Sequence, residues 1–416
     1  MTSIQFNKTN LTGRVSVPNS KSILQRIMLL QALYKQTIYT PQPQDANDVH
    51  ILYNALFKTQ SSSNTIVIDV QDSGTGLRFL TAYLSIQEGQ NFLLQGTKRL
   101  HERPIRELVE ALRTIGACIE YADKDGFAPL RISGKKLIGG SIEIAANISS
   151  QYLSALCMIA PLLENGLRIQ LMGTMVSASY IMMSLNVLKK QGIASTFENN
   201  IIQIGKQDTH ADIQPIEGDW SSACFFYAMA MLVPQCSLFI ENLNIDSYQG
   251  DKQIVVLAEN FGIQTSTEKN GIRLTKKVAP SSIQSACISL KEYPDLAIPF
   301  IVACAIAYPQ ISFSGLHHLQ YKESNRIEAL QRQLKKIGIV LQYKDDVLHI
   351  VQHNIDKEVC PTLCSHNDHR IAMAMSMLAI ILKRVEIENP HCVNKSFPSF
   401  WEELKLLGFE FGYADV

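Results

Sequence analysis

The sequence has no excess of charge of either sign, because 38 lysines and arginines balance 38 aspartates and glutamates over 416 residues. Neither nucleic acid nor an anionic membrane surface is therefore an expected partner. No apolar run is long enough to cross a bilayer, and the longest, around residues 296–308, contains Pro299. The N-terminal segment MTSIQFNKTNLTGRVSV is polar and lacks the apolar core of a signal peptide. These absences predict a cytoplasmic protein.

Disulfide and zinc patterns are also lacking. The nine cysteines are scattered, and most lie in apolar runs such as SALCMIAPLL and FIVACAIAY, as reduced core cysteines do. The segment CPTLCSHNDH, residues 360–369, has no distant second pair of ligands, which structural zinc sites usually need. No GxGxxG motif follows a predicted strand. We therefore expect no metal and no cofactor.

What the sequence does contain is a repeat, in which an amphipathic helix pattern is followed by a glycine and a short strand pattern. The glycines are Gly116, Gly192, Gly262, Gly338 and Gly408, and subtraction gives separations of 76, 70, 76 and 70 residues. Each glycine is expected at the left-handed position that ends a helix. Hairpin patterns follow in CIEYADKDGFAPLRI, QTSTEKNGIRLT and VLQYKDDVLHIV. An earlier unit, ILYNALFKT followed by NTIVIDV, fits the same pattern without the glycine. The pattern therefore predicts an α/β protein built from about six repeat units that pack on one another.

Polar clusters stand at the predicted starts of several helices. They are Lys21, Ser22 and Arg26 in VPNSKSILQR; Gly74, Thr75 and Arg78 in DSGTGLRFL; Ser149, Ser150 and Gln151 in NISSQYLSAL; and Asp368, His369 and Arg370 in NDHRIAMA. A single serine or asparagine at such a place is usually only an N-cap. Several sites that combine a helix N-terminus with a cation favour anion binding.

The segment YKESNRIEALQRQLKKIG raises a separate question, because Lys322, Glu323 and Arg326 are predicted in the first turn of one helix. Surface ion pairing and a favourable acidic residue near a helix N-terminus would explain them. A carboxylate that moves protons beside cations that hold an anion would explain them as well. The spacing alone leaves both interpretations open.

In their order along the chain, these motifs resemble those of the enolpyruvyl transferases, and most closely those of the 5-enolpyruvylshikimate-3-phosphate synthase family. The resemblance runs from SVPNSKSILQR through DSGTGLRFL, RLHERPI, ISSQYLSAL, GDWSSACFF, YPDLAIPF, YKESNRI and NDHRIAMA to CVNKSFPSFW. It implies an α/β fold of two lobes, each an inside-out α/β barrel of three βαβαββ units. Residues 1–19 with 220–416 would form one lobe and residues 20–219 the other, with hinges near residues 19 and 219 and the active site in the cleft.

The activity that this resemblance implies is transfer of the enolpyruvyl group of phosphoenolpyruvate to the 5-hydroxyl of shikimate 3-phosphate, with release of phosphate. This transferase reaction belongs to the shikimate pathway, which leads to chorismate and the aromatic amino acids. The addition and elimination would pass through a tetrahedral intermediate and need two acid/base groups but no metal or redox cofactor. A monomer is the expected state, because no long exposed apolar stripe is evident in the sequence.

The resemblance also implies roles for individual residues. Asp295, Glu323 and Lys21 would be catalytic. Shikimate 3-phosphate would be bound by Lys21, Ser22, Arg26, Ser149, Ser150, Gln151, Ser177, Tyr180, Asp295, His318 and Lys322. Phosphoenolpyruvate would be bound by Lys21, Gly74, Thr75, Arg103, Gln151, Arg326, Arg370 and Lys395. The cations of these sets would offset the roughly five or six negative charges of the two substrates in a protein that is neutral overall.

Four residues depart from the pattern of this family. Asn19 stands where glycine is usual, Asp72 where asparagine is common, Asn325 where aspartate is usual and His318 where asparagine is common. None of these changes removes a predicted acid, base or cation. We expect Asn325 to modulate the orientation of the neighbouring cations. We expect His318 to make substrate binding pH-dependent near neutrality.

Two other functions stay open. An enolpyruvyl transferase that acts on a UDP-amino sugar would carry Lys-Asn in place of SKS, so Lys21-Ser22 and the ISSQ motif favour the shikimate branch. A non-catalytic ligand-binding homologue would be expected to lose its acids and bases first, whereas Asp295 and Glu323 are both present.

Overall fold

The computed structural model describes residues 1–59, 64–146, 149–173, 175, 178–208, 216–277 and 286–413. The chain forms two compact units. The first unit consists of Met1–Ser20, Gln44–Ala46 and Glu217–Val416, and the second unit consists of Lys21–Pro43 and Asn47–Ile216. Each unit therefore contains segments that are distant in sequence.

Helices and short strands alternate along both units. The α-helices are α1 (Lys21–Leu33), α2 (Asn47–Lys58), α3 (Gly74–Ser85), α4 (Lys98–His101), α5 (Arg106–Thr114), α6 (Ser150–Ile159), α7 (Ala178–Lys190), α8 (Trp220–Leu232), α9 (Ile254–Glu259), α10 (Ala297–Ala307), α11 (Arg326–Lys335), α12 (His369–Ser376) and α13 (Phe400–Leu407). The strands are β1 (Thr2–Phe6), β2 (Asn10–Ser16), β3 (Ile66–Asp69), β4 (Asn91–Gln95), β5 (Cys118–Tyr121), β6 (Leu130–Ser133), β7 (Gly140–Ala145), β8 (Leu167–Met172), β9 (Thr196–Glu198), β10 (Ile201–Ile204), β11 (Gln235–Glu241), β12 (Ile263–Glu268), β13 (Gly271–Lys276), β14 (Cys287–Ser289), β15 (Ser312–Ser314), β16 (Ile339–Lys344), β17 (Val347–His353), β18 (Thr362–Cys364), β19 (Arg384–Glu388) and β20 (Phe409–Tyr413).

The strands form four-stranded sheets that share one topology. The second unit contains the orders β3-β4-β6-β5 and β7-β8-β10-β9, and the first unit contains β2-β11-β13-β12, β14-β15-β17-β16 and β18-β19-β1-β20. In each sheet the first two strands are parallel and the other two pair antiparallel. A parallel pair needs a crossover connection, which a helix provides, whereas an antiparallel pair can be joined by a tight turn. The three predicted hairpins are confirmed as β5-β6, β12-β13 and β16-β17.

The five repeated glycines have the predicted left-handed backbone. Their φ angles are 102°, 77°, 84°, 87° and 95° for Gly116, Gly192, Gly262, Gly338 and Gly408. At Gly338 a side chain would also collide with the main chain, because a Cβ atom there would lie 2.0 Å from the Asn354 carbonyl oxygen. Glycine therefore ends each helix at the point where the chain turns back into a strand.

The core of each unit combines largely buried helices with the buried faces of its strands. In the first unit every residue of α8 and α12 is buried, and α10 contacts both of these helices. In the second unit α1, α3 and α6 contact one another and are largely buried. A helix that is apolar on all faces must be covered on all faces, so the sheets and outer helices lie around these central helices. This arrangement is the predicted inside-out packing.

Candidate active site

In the second unit, the N-termini of α3 and α6 come together. The side chain of Gln151 donates from Nε2 to Oγ1 of Thr75 at 3.1 Å. Ser73 caps α3 by accepting from the Gly76 amide at 3.2 Å, and Ser149 caps α6 by accepting from the Gln151 amide at 3.4 Å. Two helix N-termini, whose amides favour anions, are thus joined by residues predicted to bind substrate.

Arg103 lies directly over the backbone at the start of α3. A Cβ atom on Gly74 would lie only 2.5 Å from Nη1 of Arg103. The following residue is held in place because the Pro104 carbonyl accepts from Arg78 Nη2 at 2.9 Å and from the Tyr152 hydroxyl. Arg78 is buried and also donates to the Gly74 carbonyl at 3.2 Å, so it links the backbone at Gly74 to the backbone at Pro104. Glycine at this position lets the guanidinium approach the backbone this closely, and any larger residue would displace it.

Gly74→Ala is expected to displace the Arg103 guanidinium and to raise the KM for phosphoenolpyruvate on the order of tenfold, with little effect on binding of shikimate 3-phosphate. The fold should survive, because the colliding atoms are at the end of a flexible side chain. Gly205→Ala is a matched control in the same unit, since a Cβ atom there meets nothing within 4 Å. Steady-state kinetics check the prediction, and an unchanged KM for phosphoenolpyruvate would contradict it.

Arg26 is buried in the second unit. Its guanidinium donates from Nε to Ser184 Oγ at 2.8 Å, from Nη1 to the Ser22 carbonyl at 2.7 Å, and from Nη2 to Ser154 Oγ at 2.9 Å and the Tyr180 carbonyl at 3.3 Å. These four bonds use four of the five N–H donors of arginine. Burial lowers the pKa of Arg26 to about 10, which leaves it charged at neutral pH. The guanidinium that we expect to contact substrate is therefore charged and held in a fixed orientation.

Other predicted ligands of shikimate 3-phosphate lie at the N-termini of α1 and α6. Lys21 is the first residue of α1 and Ser150 the first residue of α6. The Lys21 ammonium lies 3.1 Å from a carboxylate oxygen of Asp48. Ser177 lies outside the part of the chain that the structure describes.

In the first unit, Arg326 is surrounded by three carboxylates. Its guanidinium contacts Glu323 Oε2 at 2.9 Å, Asp295 Oδ1 at 3.3 Å and Asp368 Oδ2 at 2.8 Å. Only 1% of its side chain is exposed. A cation buried to this extent needs opposite charges nearby, and the three carboxylates supply them. Burial lowers the pKa of Arg326, but the charges of Asp368, Glu323 and Asp295 outweigh it, and the pKa is raised above its ordinary value.

Asp295 and Glu323 each also contact a second cation. Asp295 Oδ2 lies 3.0 Å from Arg370 Nη2, and Arg370 donates to the Asp295 carbonyl at 3.3 Å. Glu323 Oε1 lies 3.9 Å from Lys395 Nζ. The side chains of Asp295 and Glu323 are 21% and 17% exposed, so both remain reachable from solvent. The structure thus brings together two predicted acid/base residues and three predicted cations.

The helix after these residues begins later than predicted. Lys322 and Glu323 precede α11, which starts at Arg326, so their placement in its first turn was wrong. Asn325 has an extended backbone and caps the helix, because its Oδ1 accepts from the Glu328 amide at 3.3 Å. Its Nδ2 lies 3.4 Å from the Glu328 carboxylate, so this residue is directed at its own helix and not at the guanidinium.

Asp368 was missed as a contributor to the site. It is fully buried, caps α12 by accepting from the Arg370 amide at 3.0 Å, and accepts from the Ser324 hydroxyl at 3.1 Å. Its carboxylate also holds Arg326. The sequence signal was present only as an aspartate at a predicted helix start, and nothing in it indicated a partner 42 residues away.

Two further departures from the family pattern form local hydrogen bonds. Asn19 donates from Nδ2 to Asp45 Oδ1 at 3.0 Å and accepts from Asn242 Nδ2 at 3.4 Å. Glycine has no side chain with which to make these bonds. Asp72 accepts a hydrogen bond from the Thr97 hydroxyl. Both residues therefore fasten backbone segments next to the predicted ligands.

The expected titration of His318 near neutrality is not supported in the first unit. Burial, followed by the charge of Lys322, lowers the pKa of His318 to about 3. Its Nε2 is buried and has no hydrogen-bond partner among the residues that the structure describes. The imidazole is therefore neutral at physiological pH.

His318→Asn is expected to reduce the sensitivity of the fold to acid. Because the folded-state pKa lies below the unfolded value of about 6.5, the wild type has its full stability above that value and loses it as pH falls towards the folded pKa. Between pH 7.5 and pH 5 the wild type should lose about 1–2 kcal/mol that the variant does not lose. Denaturant unfolding at both pH values checks this, with the exposed His349→Asn as control. An equal loss in wild type and His318→Asn would contradict it.

None of the helices in the described ranges combines the length and the apolar composition that crossing a membrane requires.

A family model described as EPSP synthase (3-phosphoshikimate 1-carboxyvinyltransferase) matches residues 44–404. A relative from Bacteroides fragilis named 3-phosphoshikimate 1-carboxyvinyltransferase is 37% identical over 403 residues, covering 96% of this chain and 96% of the relative. A relative from Haemophilus ducreyi with the same name is 30% identical over 426 residues, covering 96% of each chain.

Solved structures agree on the fold. EPSP synthase from Acinetobacter baumannii matches with a TM-score of 0.75 over 99% of both chains at 20% sequence identity. A second structure of EPSP synthase from that organism gives 0.76 at 19% identity. These likenesses confirm the predicted enolpyruvyl transferase fold, and the family model and relatives confirm the predicted resemblance. The chain belongs to the EPSP synthase (3-phosphoshikimate 1-carboxyvinyltransferase) family.

Proposed function

We propose that the protein transfers the enolpyruvyl group of phosphoenolpyruvate to the 5-hydroxyl of shikimate 3-phosphate, as its family membership indicates. The observation that carries the proposal is the pair Asp295 and Glu323, each of which bridges two cations in the first unit. Such a pair supplies acid/base groups beside positive charge, which is what addition and elimination at phosphoenolpyruvate need.

Anion binding is divided between the units. In the second unit, Lys21, Ser22, Arg26, Ser149, Ser150, Gln151, Ser177 and Tyr180 would bind shikimate 3-phosphate, and Gly74, Thr75 and Arg103 would bind phosphoenolpyruvate. In the first unit, Arg326, Arg370 and Lys395 would hold the phosphoenolpyruvate anion, and His318 and Lys322 would face the shikimate ester. The ion pairs of Arg326 and Arg370 keep these cations oriented before substrate arrives, so little reorganisation is needed at the moment of reaction.

The addition step forms the bond between the 5-oxygen of shikimate 3-phosphate and C2 of phosphoenolpyruvate. As this bond forms, the hydroxyl loses a proton and C3 gains one, which gives a tetrahedral ketal phosphate. Asp295 and Glu323 would carry these protons, and Lys21 would stabilise the charge that develops on the phosphate. The partial exposure of both carboxylates supports their part in proton transfer, because a substrate can reach them from solvent.

The elimination step reverses the proton transfer at C3. The C–O bond to phosphate breaks, C3 returns its proton to the protein, and the enolpyruvyl ether and inorganic phosphate are released. A carboxylate that donated in the first step is then in the state to accept in the second. No electron acceptor is required for either step.

For the molecular organisation, we propose lobes of residues 1–19 with 220–416 and of residues 20–219, with hinges near residues 19 and 219. The active site would lie in the cleft between them, so that two anionic substrates draw cations from both lobes together and exclude water. We further propose that the protein is a cytoplasmic monomer.

Release of inorganic phosphate on mixing purified protein with shikimate 3-phosphate and phosphoenolpyruvate tests the proposed reaction. A parallel reaction offers UDP-N-acetylglucosamine as the acceptor, with EDTA in both. We expect phosphate release when shikimate 3-phosphate is the acceptor and none when UDP-N-acetylglucosamine is the acceptor. Release only with the sugar nucleotide would move the activity to the other transferase branch. Folded protein that is silent with both acceptors would favour the non-catalytic homologue.

A further inference from the structure

Asp48 is a buried carboxylate in the second unit to which sequence reasoning gave no role. It lies in the first turn of α2, and its Oδ2 is 3.1 Å from the ammonium nitrogen of Lys21. The exposed fractions of the two side chains are 4% for Asp48 and 16% for Lys21. This contact is therefore a partly desolvated ion pair, which is more strongly coupled than an ion pair on the surface.

We propose that Asp48 is a positioning residue for Lys21, which it holds in the orientation that binds the two phosphorylated substrates. The inference rests on the proposed function, because that function places Lys21 at both substrates. Asp48 itself would contact neither of them.

The carboxylate is well placed to act as a fixed support. Asp48 is the second residue of α2, where a negative charge is stabilised by the helix dipole. Its backbone carbonyl accepts a hydrogen bond from Gln25 Nε2 at 3.1 Å, and Gln25 is fully buried. Because Lys21 and Gln25 are one turn apart on the same face of α1, this face is joined at two points to the start of α2.

A lysine needs such a support more than an arginine does. Its ammonium group ends a flexible four-carbon chain, and rotamer entropy is lost when the chain is ordered. If Asp48 orders Lys21 before substrate binds, much of that loss no longer opposes binding. An ammonium group has three N–H donors, so a bond to Asp48 is compatible with contacts to substrate oxygens.

Two alternative roles for Asp48 make different predictions. If the carboxylate only competed with substrate anions for Lys21, its removal would tighten binding of shikimate 3-phosphate. If the ion pair served only the fold, its removal would lower thermal stability and leave the dissociation constant unchanged. The direction of the change in affinity therefore separates the three roles.

The test compares Asp48→Asn with wild type by calorimetric titration of shikimate 3-phosphate and by steady-state kinetics. We expect the dissociation constant to rise about tenfold and kcat to fall, with partial recovery in Asp48→Glu. In a Lys21→Met background, Asp48→Asn should change the dissociation constant by less than about twofold, because the group that it positions is gone. Asp125→Asn, which removes an exposed ion pair with Arg106 in the same unit, is the control and should bind as wild type does.

A folded Asp48→Asn protein with unchanged or tighter binding would overturn the proposal, as would equal effects in the wild-type and Lys21→Met backgrounds. If Asp48→Asn does not fold, Asp48→Glu decides, because its longer side chain must displace the ammonium. Wild-type affinity and kcat in Asp48→Glu would then count against positioning. Wild-type protein that fails to bind shikimate 3-phosphate would instead refute the proposed function.

Discussion

Glu323→Gln is expected to lower kcat by two or more orders of magnitude while shikimate 3-phosphate still binds. Glutamine has the same shape as glutamate and keeps an oxygen that can accept from Arg326, which is 2.9 Å from Glu323 Oε2. It cannot take up and return a proton, and loss of a positioned acid/base group costs about 10²–10⁴ in rate. Phosphate release gives kcat, and calorimetric titration gives the dissociation constant of the shikimate ester.

Glu358→Gln is a suitable control for this variant. Glu358 also pairs with a lysine in the first unit, at 2.9 Å from Lys383, but both side chains are more than three-quarters exposed. Exposed pairs of this kind contribute little, so kcat should stay at the wild-type value. If Glu323→Gln instead weakens binding of shikimate 3-phosphate and leaves kcat nearly unchanged, the carboxylate has a structural role and the prediction is wrong.

The fold could be predicted from the sequence because its signals are local. The end of a helix at Gly338 and the hairpin turn at Asp345 and Asp346 are each specified by residues that are neighbours in sequence. These three residues all have positive φ angles. Their recurrence at intervals of about 70 residues then indicated repeat units that must share a core. The pairing of β1 with β19 and β20 has no such signal, because the strands are nearly a full chain length apart.

The site was predictable to the extent that its residues stand in motifs. Asp295, Glu323 and Arg370 each occupy a motif that resembles the family, and the structure places them in one cluster. Asp368 and Asp48 could not be assigned in this way, because each acts on a partner 42 or 27 residues away through side-chain geometry that only the packed helices create. The start of α11 was placed too early because the charges preceding Arg326 were read as helical, whereas Asn325 caps the helix.

Arg326→Met is expected to destabilise the first unit by about 3–5 kcal/mol and to abolish turnover. Methionine fills a similar volume but leaves Asp295, Glu323 and Asp368 without the cation that they share. Asp368 is fully buried, so its uncompensated charge is the most costly of the three. Denaturant unfolding at pH 7.5 measures the loss. Arg332→Met on the same helix is the control, because its partner Glu328 is 47% exposed, and it should stay within about 0.5 kcal/mol of wild type.

The pH dependence of the Arg326→Met deficit identifies its cause. Without the cation, burial and mutual repulsion both disfavour the charged forms of the three carboxylates in the folded protein. The deficit relative to wild type should therefore be largest at neutral pH and shrink as pH falls and the carboxylates become protonated. A deficit of the same size at pH 7.5 and pH 5 would show that lost packing, and not uncompensated charge, destabilises the variant. The fold would then need the packing of Arg326 but not its charge, and the charge would serve only to bind substrate.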